Sequence, residues 1–337
     1  MKILFCDASK YTQSFFRRHK LAHGVETVML ASSLNDVAEA DLNKYTDAEA
    51  ISTFVYSRLT ADLLGKFKKL KLVSTRSTGY NNVDVEYCKA HKIKVANVVG
   101  YGEITVAEFA FGLLLDIARK IHFSNLKLRR GFVNVAEDEG VDIYGKTIGV
   151  IGTGAIGRHF AKLAKGFGAR ALAYDIYPNK ELEEAGIVKY VPLDKLIKES
   201  DMISLHCPAT PENHHLVNAK SLAKMKRGVI IINTARGELV DTADLYDALV
   251  SGQVGGAGLD VLDYEDVILK GNLEAARKAD KEYNFYSLVN QRLIQFPNVV
   301  LTPHIAFNSR EADERIHLSA FATLKAFVER KDFKTVA

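Results

Sequence analysis

The chain has 337 residues, 47% of them apolar and 26% charged, with 45 lysines and arginines against 41 acidic residues for a net charge of +4. That length favours two domains, the apolar share excludes a disordered chain, and the scattered, nearly balanced charge argues against a nucleic-acid partner. Cys6, Cys88 and Cys207 are odd in number and widely spaced, so no metal site is expected and a reducing, cytoplasmic setting is.

Residues 1–6 carry too short an apolar run for a secretory leader and read as a first strand. Further strand-type runs at 51–55, 70–75 and 93–97 alternate with helical stretches, the pattern of a mostly parallel α/β sheet. A helix is predicted over 105–120, apolar around most of its circumference and therefore buried between domains or subunits. Its apolar run is broken by Glu108 and Asp116 and is too short to span a bilayer, so no membrane partner is expected. Lys127, Arg129 and Arg130 read as a solvated helix face.

A second, stronger series of strands is predicted at 147–151, 171–174, 202–206, 229–233, 256–261 and 299–302, enough for a complete doubly wound sheet. The charged stretch 263–295 is long for a loop, contains a helical segment near 273–281, and is either a functional insertion or a surface excursion. An amphipathic helix over 309–330 follows. Because the first series lacks a closing element, the chain is expected to return to it, giving one domain from 1–102 and 305–337 and another from 103–304.

Between the apolar run at 147–151 and the next helix, Gly152, Gly154 and Gly157 stand in the GxGxxG spacing. Gly152 permits the tight turn, Gly154 lets a pyrophosphate approach the backbone, and Gly157 lets helix and strand pack closely, with the phosphates at the helix N-terminus. Asp175 ends the following strand, 18 residues after Gly157 (175 − 157). A carboxylate there accepts the ribose hydroxyls and repels a 2′-phosphate, so the expected cofactor is NAD rather than NADP.

Reduction of a keto acid needs a cation for the carboxylate, an acid for the carbonyl oxygen and a group that tunes the acid. Arg236, His304 and Glu265 each follow a predicted strand, where open α/β sheets bind ligands, with Asp263 the rival to Glu265. The segments Asn233-Thr-Ala-Arg-Gly-Glu-Leu-Val-Asp241, Gly258-Leu-Asp-Val261 and Thr302-Pro-His-Ile-Ala306, with the glycine motif, resemble the signatures of the D-isomer-specific 2-hydroxyacid dehydrogenases. Within that family the chain looks nearest to the D-lactate dehydrogenase branch.

The resemblance implies a flavodoxin-like substrate domain and a Rossmann NAD-binding domain, both doubly wound parallel sheets, with the active site in a cleft between them. It implies that Arg236 grips the substrate carboxylate, that His304 is the acid/base, and that Glu265 orients the imidazole. The loop from Arg76 to Asp84 resembles the family's carboxylate-binding loop, with Ser77, Thr78 and Gly79 at its contact positions; Tyr56, Tyr101 and Phe307 match aromatic substrate-pocket positions. Cofactor-contacting positions are matched by Val106, Ala155, Ile156, Ile176, Cys207, Pro208, Asn213, Thr234, Ala235 and Asp260. Phe109 departs from the family, which often has histidine there. Pyruvate and D-lactate are the expected pair, and a homodimer the expected assembly. The alternatives are another 2-keto acid (glyoxylate, hydroxypyruvate or a branched-chain acid) and an NADH-sensing interaction protein of the same fold.

Overall fold

In the computed structural model, residues 1–136, 138–265 and 281–336 are described. The chain divides into two compact units, one from Met1–Tyr101 and Ser309–Ala337, the other from Gly102–Asn308.

The first unit is built on strands β1 (Lys2–Phe5), β2 (Glu26–Met29), β3 (Ala50–Thr53), β4 (Leu72–Thr75) and β5 (Lys94–Ala96), all parallel, in the order β2-β1-β3-β4-β5. That order is the flavodoxin-like one. Its central strands β3 and β4 are buried throughout because helices cover both faces, which is why they read as continuous apolar-rich runs. β2 lies at the sheet edge, half of it exposed, and its sequence Glu-Thr-Val-Met gives no such run. It therefore escaped the sequence reading. The returning helix, Arg310–Val328, starts on Ser309, whose hydroxyl accepts the Ala312 N–H. It sets Phe321 and Leu324 against Phe15, Phe16 and Leu72 and so closes this unit's core.

The second unit carries seven parallel strands: β6 (Thr147–Ile151), β7 (Arg170–Tyr174), β8 (Lys189–Tyr190), β9 (Met202–Leu205), β10 (Val229–Asn233), β11 (Val254–Leu259) and β12 (Val299–Leu301). Their order, β12-β11-β10-β9-β6-β7-β8, is the Rossmann order with one strand added beyond the last. The expected six strands become seven because two-residue β8, half polar and at the edge, leaves no periodic signal. β11 begins two residues earlier than expected, at Val254.

The helix Glu103–Arg119 packs on this sheet within its own unit. It approaches so closely that a Cβ on Gly256 would stand 2.6 Å from Ile117, and one on Gly258 2.9 Å from Leu113. Its burial is thus explained by its own sheet. A second helix, Ile121–Arg129, follows Lys120 in the left-handed region. There the expected solvated basic face holds for Arg129 and Arg130, whereas Lys127 is a correction: it pairs with Asp138 at 2.8 Å and lies over the Phe123 ring. Residues 305–308 stay with the second unit instead of the first, because the buried Asp260 carboxylate accepts the N–H groups of Ile305 at 2.9 Å and Ala306 at 2.8 Å. The helical segment expected near 273–281 lies outside the described residues up to 280; from there the chain forms the helix Lys281–Leu293. Among the described residues no helix is long and apolar enough to cross a membrane.

Candidate active site

The strand order reverses between β6 and β9, the point where doubly wound sheets bind nucleotides at their carboxyl ends. Gly152 follows β6 with φ +90°, and a Cβ there would come within 2.7 Å of the Cys207 nitrogen after β9. At Gly157 a Cβ would stand 1.9 Å from the Gly152 carbonyl oxygen, so turn and helix fit together only through glycine. Gly154, by contrast, is exposed, with open space where its side chain would be, at the start of the helix Ala155–Gly166. The helix's first N–H groups face this opening with Ala155 exposed and Ile156 half-buried beside it. Thr234, after β10, keeps a buried hydroxyl with no hydrogen-bond partner among the described residues, the kind of orphan a bound cofactor satisfies. These features fit a dinucleotide.

Asp175 does more here than the sequence shows. Its Oδ2 accepts the Thr153 N–H at 2.6 Å and the Thr153 hydroxyl at 3.0 Å, while Oδ1 accepts the Tyr177 N–H at 2.8 Å. The carboxylate thus ties the end of β7 to the glycine turn, with exposed Ile176 beside it. Thr153 is a site residue the sequence reading missed. Asn213 closes the loop after β9, accepting the Thr210 N–H and donating to the Pro208 carbonyl at 2.8 Å. Ala235 is held to Asn233 Oδ1 at 3.0 Å, and Val106 is buried in the helix Glu103–Arg119.

Farther along the same sheet, Arg236, Glu265 and His304 follow three strand ends, and two of them, His304 and Glu265, are bonded to each other. His304 Nδ1 lies 2.9 Å from Glu265 Oε1, and the other Glu265 oxygen accepts the Leu262 N–H at 3.1 Å. Glu265 occupies this position; Asp263 turns instead to His215. The hydrogen bond from Glu265 is the main cause that raises the His304 pKa above the ordinary histidine value. Burial lowers it, Glu265 and Asp260 add attraction, and the positive charge of Arg236 opposes. The His304 side chain remains 45% exposed, so a ligand can reach it. Arg236 is exposed as well; one guanidinium nitrogen donates to the Ala235 carbonyl at 2.6 Å, and among the described residues no carboxylate pairs with it.

The turn that carries His304 is fixed from below. His304 itself sits at φ +54°, and its N–H donates to the Asp260 carbonyl at 2.9 Å. Asp260, 1% exposed, accepts from the Thr302 hydroxyl at 2.6 Å and from the two N–H groups already described. Burial raises its pKa, offset by those three bonds. Its carboxylate anchors the turn that carries His304, a role that its place in a cofactor-contact pattern does not reveal. Behind Arg236, Gly237 is obligatory, since a Cβ would lie 2.1 Å from the Leu262 carbonyl carbon.

In the first unit, the loop after β4 is held by its own side chains. Ser77 Oγ donates to the Gly79 carbonyl at 2.7 Å and Thr78 Oγ1 to the Val98 carbonyl at 2.9 Å. The N–H groups of Ser77, Thr78 and Gly79 find no acceptor among the described residues. Below them Arg76, fully buried, binds Ser52 Oγ and the Cys6 and Asp7 carbonyls. Tyr56 is 68% exposed. The Tyr101 carbonyl accepts from Arg315 at 2.7 Å. Within the second unit, Phe307 stands beside Gly102.

Comparison with known proteins agrees with this geometry. A family model for the D-isomer specific 2-hydroxyacid dehydrogenase NAD binding domain matches residues 111–306. The chain belongs to the D-isomer-specific 2-hydroxyacid dehydrogenase family. It is 40% identical over 315 residues to the 2-hydroxyacid dehydrogenase homolog 2 of Schizosaccharomyces pombe, covering 93% of this chain and 92% of the relative. It is 40% identical to the hydroxypyruvate reductase of Thermotoga maritima over 261 residues, 77% of this chain and 78% of that one. The D-lactate dehydrogenase of Aquifex aeolicus, solved with NAD and lactic acid, is similar with a TM-score of 0.83 at 36% identity, covering 97% of this chain and 96% of that chain. The second unit, which contains all the matched residues, is therefore this dehydrogenase's NAD-binding domain.

Proposed function

We propose that this dehydrogenase reduces a small 2-keto acid, pyruvate foremost, to the D-2-hydroxy acid, with His304 as the acid. The observation that carries the reading is the His304–Glu265 bond of 2.9 Å, with the Arg236 charge acting on the same imidazole. Gly152, Gly154, Gly157 and Asp175 would hold NADH, which would supply the hydride when bound. Arg236 holds the substrate carboxylate with a two-pronged guanidinium, a geometry lysine lacks. Protonated His304 gives the proton on Nε2 to the carbonyl oxygen, while Glu265 keeps Nδ1–H in place and stabilises the cation until the transfer. In the oxidative direction neutral His304 takes the hydroxyl proton back.

Substrate contacts at Tyr56, Ser77, Thr78, Gly79, Tyr101 and Phe307 extend the proposal. The free N–H groups of residues 77–79 support a carboxylate there, and the aromatic residues support a small apolar side chain. Cofactor contacts at Val106, Ile176, Cys207, Pro208, Asn213, Ala235 and Asp260 belong to it too. Lactic acid in the Aquifex aeolicus relative favours pyruvate, and the Thermotoga maritima relative keeps hydroxypyruvate as the second reading. A panel of pyruvate, hydroxypyruvate and glyoxylate, followed by loss of NADH absorbance, tests it: pyruvate is expected to give the highest kcat/KM. A tenfold preference for hydroxypyruvate overturns the substrate, and no oxidation of NADH with any of the three overturns the activity.

We also propose a cytoplasmic homodimer. Exposed apolar side chains at Ile121, Leu126, Leu128, Phe132, Val133 and Val135 support a second copy against this stretch of the NAD-binding domain. Light scattering that gives a monomeric mass would remove that proposal.

A further inference from the structure

Apart from the hydride-transfer residues, the second unit gathers two histidines and two carboxylates at the ends of β9, β10 and β11. His214 and His215 place their rings 3.9 Å apart, and one ligating atom from each lies within 4.8 Å of the other and of the Asp263 carboxylate. His215 Nε2 is 3.0 Å from Asp263 Oδ2, and its Nδ1 is 3.2 Å from Asp241 Oδ2. Asp241 is itself fixed: Oδ1 accepts the N–H groups of Ala243 and Asp244, and Oδ2 accepts the Tyr286 hydroxyl at 3.3 Å. Asp263 is 9% exposed and its carbonyl accepts from Asn290 at 2.7 Å. A histidine held in this way, with a carboxylate on the far ring nitrogen, has its tautomer set so that the near nitrogen offers a lone pair to a metal.

We propose that His214, His215 and Asp263 bind one divalent ion of the zinc class, with Asp241 orienting His215. Two imidazoles and one carboxylate suit zinc and its neighbours among the transition metals. Magnesium and calcium, which take six or more oxygens, are excluded. Three protein ligands leave a fourth tetrahedral position for water. The 3.0 Å between His215 Nε2 and Asp263 Oδ2 is close to the ~3.3 Å that separates two ligands of a tetrahedral ion with bonds of about 2 Å. His214 is exposed, so its ring has room to turn and complete the set.

The site bears on catalysis through one short turn. Asp263 Oδ1 accepts the Tyr264 N–H at 3.1 Å, and Glu265 Oε2 accepts the Leu262 N–H, so an ion on Asp263 restrains the turn that aims Glu265 at His304. Binding itself does not depend on which keto acid the enzyme reduces. The rival is no ion at all, with His215 simply bridging Asp241 and Asp263.

Equilibrium dialysis of the tag-free, EDTA-treated full chain against micromolar zinc sulfate, with metal analysis, separates the two. One zinc per chain is expected in the wild type, with no uptake of magnesium from magnesium sulfate. His214→Ala, at an exposed position that leaves the core intact, is expected to lose that zinc. Asp241→Asn keeps a helix-capping side chain but not the carboxylate, and is expected to weaken binding by about 10- to 100-fold. Thermal unfolding adds an independent readout: zinc raises the Tm of the wild type and leaves that of His214→Ala unmoved. Failure of the wild type to take up zinc, or equal uptake by wild type and His214→Ala, overturns the proposal.

Discussion

Two histidines of the NAD-binding domain stand just past strand ends, and their surroundings give them opposite chemistry. His206, directly after β9, has the Ser204 hydroxyl at 2.9 Å as its ring's hydrogen-bond partner and packs on Phe160 with ring centroids 4.8 Å apart. Burial, with no carboxylate beside it among the described residues, pushes its pKa down to about 3, so it is neutral near pH 7. His304, after β12, has a carboxylate on Nδ1 and a pKa raised above the ordinary value. The contrast shows that a strand-end position supplies access to a ligand, while a partner across the chain supplies the proton chemistry.

The sharpest way to break that contrast is to replace each histidine. His304→Ala is expected to lower kcat for keto-acid reduction by about 10²- to 10⁴-fold, the usual contribution of a general acid. His206→Gln, which keeps a neutral polar side chain, is expected to leave the pH profile in place. An equal loss in both variants would mean that the Glu265 partnership is not what distinguishes them.

Next in size is the glycine turn beside His206. Gly157→Ala forces a methyl against the Gly152 carbonyl oxygen, and overpacking of this kind costs about 1–3 kcal/mol. NADH binding, followed by fluorescence, is expected to weaken together with a lower Tm. Unchanged NADH affinity would show that the turn does not cradle the cofactor.

Glu265→Gln refines the His304 side of the comparison. Reduction needs protonated His304, so its rate falls as pH rises through the His304 pKa. Without the carboxylate that pKa drops, and the falling limb of kcat/KM is expected at lower pH than in the wild type. Stability has the same sign. A histidine whose pKa is raised on folding contributes fully below its unfolded value near about 6.5, and the contribution disappears as pH climbs through the folded value. In Glu265→Gln the urea midpoint should accordingly change less between mildly acidic and mildly alkaline buffer. An unmoved limb would remove Glu265 from the proposed role.

The smallest effect is expected at Asp175. Asp175→Ser removes the charge that opposes a 2′-phosphate but also loosens Thr153, so the NADH:NADPH ratio of kcat/KM should fall, mainly through poorer use of NADH. A ratio that stays at the wild-type value would assign the preference elsewhere.

Much of this was legible because the signals are local. The buried strands around Ile230-Ile-Ile announce themselves by composition, and the glycines of the turn stand within six residues of one another. Edge strands β2 and β8 were not legible, since half-exposed segments need no apolar run. Nor was the work of Asp260, Asp175 and Lys127, whose partners depend on how turns from different strands meet. The masking of a basic side chain by Asp138 and Phe123 leaves no mark in a charge pattern.

Sequence by itself determined the two parallel-sheet units, the returning C-terminal helix and the dinucleotide turn, because each rests on periodicity or on a short fixed spacing; the roles of Arg236, Glu265 and His304 came from the family resemblance. Tertiary structure decided between Glu265, which the resemblance had implied, and its rival Asp263 as the partner of His304, and it alone gave Asp263 and Asp241 to His215. The physical reason is that two acids two residues apart in one turn point in different directions. Only the packed backbone fixes those directions, through a left-handed Tyr264 and a left-handed His304.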